Sequence, residues 1–301
     1  MRTVASFYHY LFQLSMDSQL FWKFFIPVFI IQTIFDWVLY IYLDFFILFK
    51  DLGLGGSGTT FYGWAVGRFR AYAANANVLV PPRVPQTADP WRGRLNILPQ
   101  RQGPRPKILG CTPQRQVDFP APPNTTLALE ELFNEFVNTP ETAGLDHITV
   151  RRSYLEPGLR ALRRELTIPT NERGGPLDPE TVELNSRDAY GGEIIHIHRE
   201  GTAHVILHPD DCRRVIEAGW GERHPFCTSS WYFRAYYNWF HRVNLPVPEH
   251  LIITYAPRNQ AEYDVMREII RAAVWHATEG RLYPLDANTY PIPPAPTAIT
   301  A

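Results

Sequence analysis

Three histidines set at hairpin spacing are the residues of this sequence best arranged to do chemistry. Gly192–His198 and Thr202–Leu207 read as two strands joined by Arg199-Glu200-Gly201. Strand side chains alternate between faces, so His196 and His198 share one. With a three-residue loop and Gly201 left-handed, a common hairpin form, His198 pairs with Thr202 and His196 with His204. Three imidazoles then converge, whereas a loop one residue longer sends His204 to the other face. Such a group can bind a metal, since imidazole is the commonest nitrogen ligand. It can act as a base with orienting partners on an acidic substrate hydroxyl. It can also be a satisfied structural cluster. By the same alternation Glu193 falls on the opposite face with Ile195 and Ile197, in a structural role or at a sheet edge.

Two further stretches could furnish a site. In Gly219-Trp220-Gly221-Glu222-Arg223-His224-Pro225 a pair of glycines lets the backbone turn sharply and aim the indole. Arg223 offers a cationic fork suited to an enolate, carboxylate or peroxide oxygen. Tyr255-Ala256-Pro257-Arg258 ends a strand, where loop residues commonly build sites.

The elements that must position these residues form a short series. After the hairpin, Pro209 opens a helix whose dipole favours Asp210 and Asp211 in its first turn and which stops at Gly219. Leu251–Tyr255 is a strand. Asn259 caps a last helix, with Glu262 completing a capping box; Met266, Ile269, Ile270 and Ala273 form its buried face and Gly280 ends it. The order β-β-α-β-α predicts an α+β fold, an antiparallel sheet with flanking helices. Upstream, Phe61–Ala74 reads as a short helix. Val78–Asp118, rich in Pro and Arg, reads as extended chain wrapping the surface. Thr126 caps a helix running to about Asn138, with Leu129, Leu132, Phe133, Phe136 and Val137 on one side. His147–Leu155 is a strand, and Arg151, Arg152, Arg160, Arg163 and Arg164 make a basic face, solvated or turned to an anionic surface.

Composition narrows the function. With 29 basic and 30 acidic side chains, the chain lacks the basic excess that nucleic acid demands, so no nucleic-acid partner is expected. It holds 27 prolines in 301 residues, well above the usual share of about 5%, which disfavours a long helical bundle. Its three cysteines, Cys111, Cys212 and Cys227, form no C-x-x-C, so neither a disulfide scaffold nor a zinc ribbon is expected. From Phe24 to Phe49 the chain is apolar apart from a stripe at Gln32, Asp36, Tyr40 and Asp44. Spanning a bilayer takes about 20 residues. We expect a single-pass anchor, with a helix lying in the interface as the rival reading, membrane lipid as a partner, and an endomembrane such as the endoplasmic reticulum as its place. Lys50, Arg68 and Arg70 after the anchor lean the larger domain to the cytoplasm. An Asn124-Thr125-Thr126 sequon matters only for a lumenal domain. The Gly53-x-Gly55-x-x-Gly58 connector fits a dinucleotide fingerprint on paper, but it follows the anchor rather than a buried strand and reads as a turn.

Several motifs in the same order resemble the fungal luciferase family. They are Glu193-Ile-Ile-His-Ile-His198, Ala203-His204, Gly219–Pro225 and Tyr255-Ala-Pro-Arg-Asn259. Upstream they include Leu52–Gly58 with Gly63-Trp64, Gly103-Pro-Arg-Pro106, Pro113-Gln-Arg-Gln116 and the segment around Ser153, Glu156 and Ala161-Leu162. The resemblance covers roughly residues 44–278. It implies a membrane-associated enzyme that adds O2 to 3-hydroxyhispidin, a small lipophilic aromatic pyrone. An endoperoxide forms, CO2 is lost, and excited caffeylpyruvate emits light. O2 is the co-substrate and no cofactor is required, although a metal at the histidines stays open. Within that chemistry His196, His198 and His204 would supply the base, and Arg223 and His224 would stabilise the enolate or peroxide. Glu193, Trp220, Tyr255 and Arg258 would bind substrate, the two aromatics lining a planar pocket.

Three departures stand out: Glu200-Gly201-Thr202 at a turn that often reads Asp-Gly-Ser in the family, Pro157 where continuous strand is expected, and an aromatic insert, Trp231–Phe240. The insert would serve as a lid or as a patch pressed on the membrane. Residues 1–19 are an N-terminal segment, 20–50 the anchor, 51–280 the α+β domain with its core motifs at 190–278, and 281–301 a Pro-rich tail expected to be disordered. Two other readings stand beside the oxygen-using enzyme: a metal-dependent enzyme built on the histidine hairpin, and a non-catalytic membrane-tethered module binding an apolar metabolite.

Overall fold

The structure, a computed structural model, describes residues 19–45, 60–74, 77–84, 92–119, 122, 125–137, 148–156, 158–164, 192–228, 231–241 and 247–278. The N-terminal segment up to residue 18, the glycine connector, Asn124 of the sequon, Pro157, Gly280 and the Pro-rich tail lie outside the described residues. The chain divides into two compact units, Met1–Gly53 and Leu54–Ala301.

The first unit holds helix α1, Gln19–Tyr42. Its 24 residues extend roughly 36 Å at about 1.5 Å each. Phe25–Phe45 is long and apolar enough to cross a membrane, and its residues from Phe25 to Tyr40 are exposed, whereas Asp44 and Phe45 at its end are buried. The polar stripe partly satisfies itself: Gln32 Nε2 donates to Asp36 Oδ1 across one turn at 2.7 Å. Internal pairing of this kind lowers the cost of placing an amide and a carboxyl among apolar neighbours.

The second unit is an antiparallel sheet flanked by helices, as predicted. In chain order its elements are α2 (Phe61–Ala73), β1 (Ile108–Gly110), β2 (Gln114–Gln116), α3 (Thr125–Val137), β3 (Ile148–Arg152), β4 (Arg160–Arg164), β5 (Glu193–Ile197), β6 (Ala203–Ile206), α4 (Pro209–Glu217), β7 (Gly221–Arg223), α5 (Trp231–His241), β8 (Leu251–Thr254) and α6 (Gln260–Ala277). β1 and β2 form a separate hairpin, and the other six strands pair in the order β3-β4-β5-β6-β8-β7.

The two-residue period of the strands decides what each face carries. Ile195, Ile197, Val205 and Ile252 join Leu129, Leu132, Phe133 and Phe136 of α3 and Met266, Ile269, Ile270 and Ala273 of α6 in one apolar core. His196, His198 and His204 take the alternate positions. Burying side chains such as Phe133 and Ile270 yields about 1.5–3 kcal/mol each, which holds the sheet rigid beneath the histidines. A smaller apolar cluster joins Cys111, Phe226, Cys227, Phe233 and Leu251.

Several elements depart from expectation. Within Val78–Asp118, read as extended chain, the β1–β2 hairpin forms, registered Ile108↔Gln116 to Gly110↔Gln114; three-residue strands are too short to show periodicity. The sheet also contains β7, so the C-terminal order is β-β-α-β-α-β-α, with the aromatic insert forming α5. β7 needs Gly221, since a Cβ there would stand 2.5 Å from the Ile253 carbonyl oxygen. α3 starts at Thr125, one residue before the expected cap. The α6 cap is half a capping box. Asn259 Oδ1 accepts the Glu262 N–H at 3.0 Å, but Glu262 returns its carboxylate to the Arg258 N–H rather than to that of Asn259.

Candidate functional site

The hairpin register is the predicted one. Gly201 has φ +89°, His196 pairs with His204, and the His198 N–H donates to the Thr202 carbonyl at 2.8 Å. Three ring nitrogens therefore point at one spot. His196 Nε2 lies 3.2 Å from His198 Nε2 and 3.1 Å from His204 Nδ1. Glu156 completes the group: its Oε1 stands 3.9, 3.7 and 4.0 Å from those atoms of His196, His198 and His204. One ligand atom from each of the four residues falls within a 4.8 Å sphere of separations, so the group could hold a metal ion. All four side chains are buried.

The outward nitrogens fix the tautomers. His196 Nδ1 meets Glu193 Oε1 at 2.5 Å and His204 Nε2 meets Gln114 Oε1 at 2.9 Å. His198 Nδ1 meets Thr202 Oγ1 at 2.7 Å, and that hydroxyl gives its one proton to Glu200 Oε1. A carboxylate, an amide oxygen and a hydroxyl whose proton is already committed all accept here, so each outward nitrogen carries the hydrogen. In a neutral imidazole the inward nitrogen is then a lone pair.

Charge around the cluster follows the same lines. Burial alone would raise the Glu156 carboxyl, but His196, His198 and Arg115 hold it below the usual carboxylate range. Glu193 and Glu200 are likewise lowered, their imidazole partners outweighing burial. Burial lowers His198 and, more strongly, His204. For His196 burial works downward too, yet the bonds to Glu156 and Glu193 overcome it and raise the value to about 9. One proton thus resides on His196 while its neighbours stay neutral.

Glu193 lies on the histidine side, contrary to the alternation argument. Leu162 pairs with Ile195 while Arg163 pairs with Glu193, an extra residue on β5. That bulge turns Glu193 to the same face as His196. There its carboxylate accepts from Ser153 Oγ at 2.9 Å and the Tyr154 N–H at 2.5 Å, placing it behind the imidazole as an orienting group.

The spacing argument missed Glu156, Arg115 and Gln114. Arg115 grips Glu156 at 2.5 Å and approaches Glu200 at 3.9 Å. Their signal was present, since Pro113-Gln-Arg-Gln116 and the Ser153–Glu156 segment carry the resemblance, but nothing local says that they meet the hairpin.

The other expected site residues sit around this centre in different ways. His224 is its neighbour, ring centroid 5.3 Å from that of His204; burial lowers it to about 4, and its Nδ1 accepts the Phe226 N–H. Each of the three Arg223 nitrogens donates to a backbone carbonyl, of Val80, Cys227 or Glu249, so this fork braces loops. Trp220 Nε1 donates to the Pro99 carbonyl at 2.6 Å. The Arg101 guanidinium lies over both the Trp220 and Tyr255 rings, at 5.8 and 5.5 Å. Tyr255 donates its hydroxyl to Glu222, which Arg105 also grips. Arg258 pairs with Glu262. These aromatics therefore belong to a cation-laced cluster of their own, built on Arg101, Arg105 and Glu222. His208 goes elsewhere, capping α4 and packing edge-on to His276. In α5, Phe233 is buried against Phe226, while Trp231 and Trp239 are exposed. An open cleft lined by Pro122, Ala128, Pro257 and Tyr263 contains none of the three histidines.

Comparison with known proteins finds a family match over the part of the chain that carries the three histidines. Residues 191–273 match the family model described as Luciferase domain. Over 186 residues the chain is 30% identical to proteins named Luciferase from Armillaria ostoyae and Armillaria mellea, the match covering 61% of this chain and 62% of each relative. It is 28% identical over 190 residues, with the same coverage, to the Luciferase of Neonothopanus nambi. The matched part thus spans less than two thirds of these relatives. No solved structure matches.

Proposed function

We propose that the chain belongs to the fungal luciferase family, on the match of residues 191–273 and the 28–30% identity to fungal luciferases, and that it is a membrane-anchored enzyme oxidising a lipophilic hydroxy-pyrone or polyketide-type aromatic with O2. The observation that carries the reading is the convergence of three buried imidazoles, all within the matched residues 191–273, with Glu156 from the chain ahead of them. A neutral buried imidazole offers a lone pair to the proton of an acidic enol, and His198, lowered less by burial than His204, is the stronger base of the two. The cation at His196, backed by Glu193, favours the oxyanion left behind. An electron-rich enolate reacts with O2, and the dry site keeps water from quenching the intermediates. α1 supplies the tether that keeps the domain near an apolar substrate.

The test is O2 consumption with simultaneous photon counting by detergent-solubilised protein given 3-hydroxyhispidin. Uptake with light supports the family reaction; uptake without light supports a related oxygenase whose product forms unexcited. Neither signal from folded protein overturns this substrate class. His204→Ala should lower turnover about 100-fold or more if the cluster handles the proton. Membranes should keep the protein through carbonate washing and yield it to detergent.

A further inference from the structure

We propose that Glu156, His196, His198 and His204 bind one divalent first-row transition metal ion. The inference rests on the same cluster as the proposed reaction but on neither its substrate nor its turnover.

The hydrogen-bond pattern carries it. A structural histidine cluster is held by N–H groups that meet acceptors. Here the N–H groups point outward, to Glu193, Thr202 and Gln114. The inward atoms, His196 Nε2, His198 Nε2 and His204 Nδ1, face one another at 3.1 and 3.2 Å, with a carboxylate oxygen alongside. Such a group needs a cation at its centre, either a proton on His196 Nε2 or a metal ion that takes its place. Outward donation to carboxylate or carbonyl oxygen is also how metal-bound imidazoles are oriented and made more basic.

The distances suit an ion. Metal–nitrogen bonds of about 2.0–2.1 Å at tetrahedral angles put ligand nitrogens about 3.3 Å apart. The two short nitrogen pairs are within a few tenths of that, and Glu156 needs a small advance from 3.7–4.0 Å. Three imidazoles and one carboxylate are a donor set for zinc, iron or manganese rather than calcium or magnesium, which prefer oxygen. Charge points the same way: Glu156, Glu193 and Glu200 ring the cluster, and even with the His196 proton counted beside Arg115 two positive charges face their three. A divalent ion would sit beneath the β1–β2 hairpin, whose Gln114 orients His204 and whose Arg115 holds Glu156.

The full chain, purified in detergent through a tag without histidines, would be assayed for bound metal by mass spectrometry. It would then be stripped with chelator and titrated with Co2+, read by ligand-field absorption. One ion per chain and a saturable Co2+ spectrum are expected. His204→Ala and Glu156→Gln should abolish both while circular dichroism reports a folded domain. Gln114→Leu, which removes only the acceptor behind His204, should weaken Co2+ binding about 10–100-fold. His208→Asn, which keeps an α4 cap acceptor, should bind as wild type. Folded wild-type protein with neither metal nor a Co2+ spectrum would overturn the proposal and leave the His196 proton as the cluster's cation. So would a His204→Ala protein that titrates like wild type. The two ideas fail separately: metal without O2 uptake sinks the reaction alone, and O2 uptake by protein that holds no metal and gives no Co2+ spectrum sinks the metal alone.

Discussion

Replacing Glu193 by Gln changes one oxygen to an amide nitrogen, and the surroundings dictate where that nitrogen must go. Oε2 receives the Tyr154 N–H at 2.5 Å and the Leu155 N–H at 3.4 Å. A second donor there would face two backbone donors, which is untenable in a buried site. The amide nitrogen must therefore take the Oε1 position, against His196 Nδ1. In its neutral, metal-binding form His196 must then hold its proton on Nε2, aimed at the lone pairs of His198 and His204. The variant loses a charge-assisted bond worth about 1.5–3 kcal/mol and replaces a lone pair of the cluster by a hydrogen. Taking about 3 kcal/mol, and about 2–4 °C per kcal/mol for a domain of this size, Tm should fall by about 6–12 °C. Metal affinity should fall about 10–100-fold, the usual cost of losing an orienting partner. Thermal unfolding by circular dichroism reads the first and Co2+ titration the second. A Tm within about 1 °C of wild type, together with unchanged Co2+ affinity, would refute the tautomer argument on which the site is built.

Two more outcomes can be read without substrate. Asp211 is wholly buried and accepts the Arg94 and Leu95 N–H groups at 2.8 and 2.7 Å, pinning the strap ahead of β1. Asp211→Asn turns one acceptor into a donor facing an N–H and should cost about 1.5–3 kcal/mol, seen as a lower urea midpoint; Gly93→Ala, whose Cβ would fall 2.2 Å from the same carboxylate, should act in the same direction. The three thiols are buried, and burial pushes Cys227 up to about 12, so native protein at pH 8, about a unit below the usual thiol range, should resist iodoacetamide while urea-unfolded protein takes up three adducts. Rapid labelling of folded protein would contradict that burial.

Local rules made the histidine hairpin legible. Strand alternation and a left-handed Gly201 suffice to pair His196 with His204, because both act over a few residues. The apolar stripes of α3 and α6 and the long apolar run of α1 were equally readable, since periodicity and length are properties of the local sequence. The sequence alone could not say that the alternation breaks at Glu193, because a bulge depends on how β4 pairs with β5. Nor could it bring Glu156 or Gln114 to the imidazoles, contacts made across 40 and 90 residues of chain. Arg223 shows the converse: its type and place suit an oxyanion, yet loops that fold around it spend its donors on carbonyls. The residue types of the centre and half of its geometry are local. Which acceptor stands behind each ring, and so which way each lone pair faces, is decided by chain segments that meet only when the sheet closes.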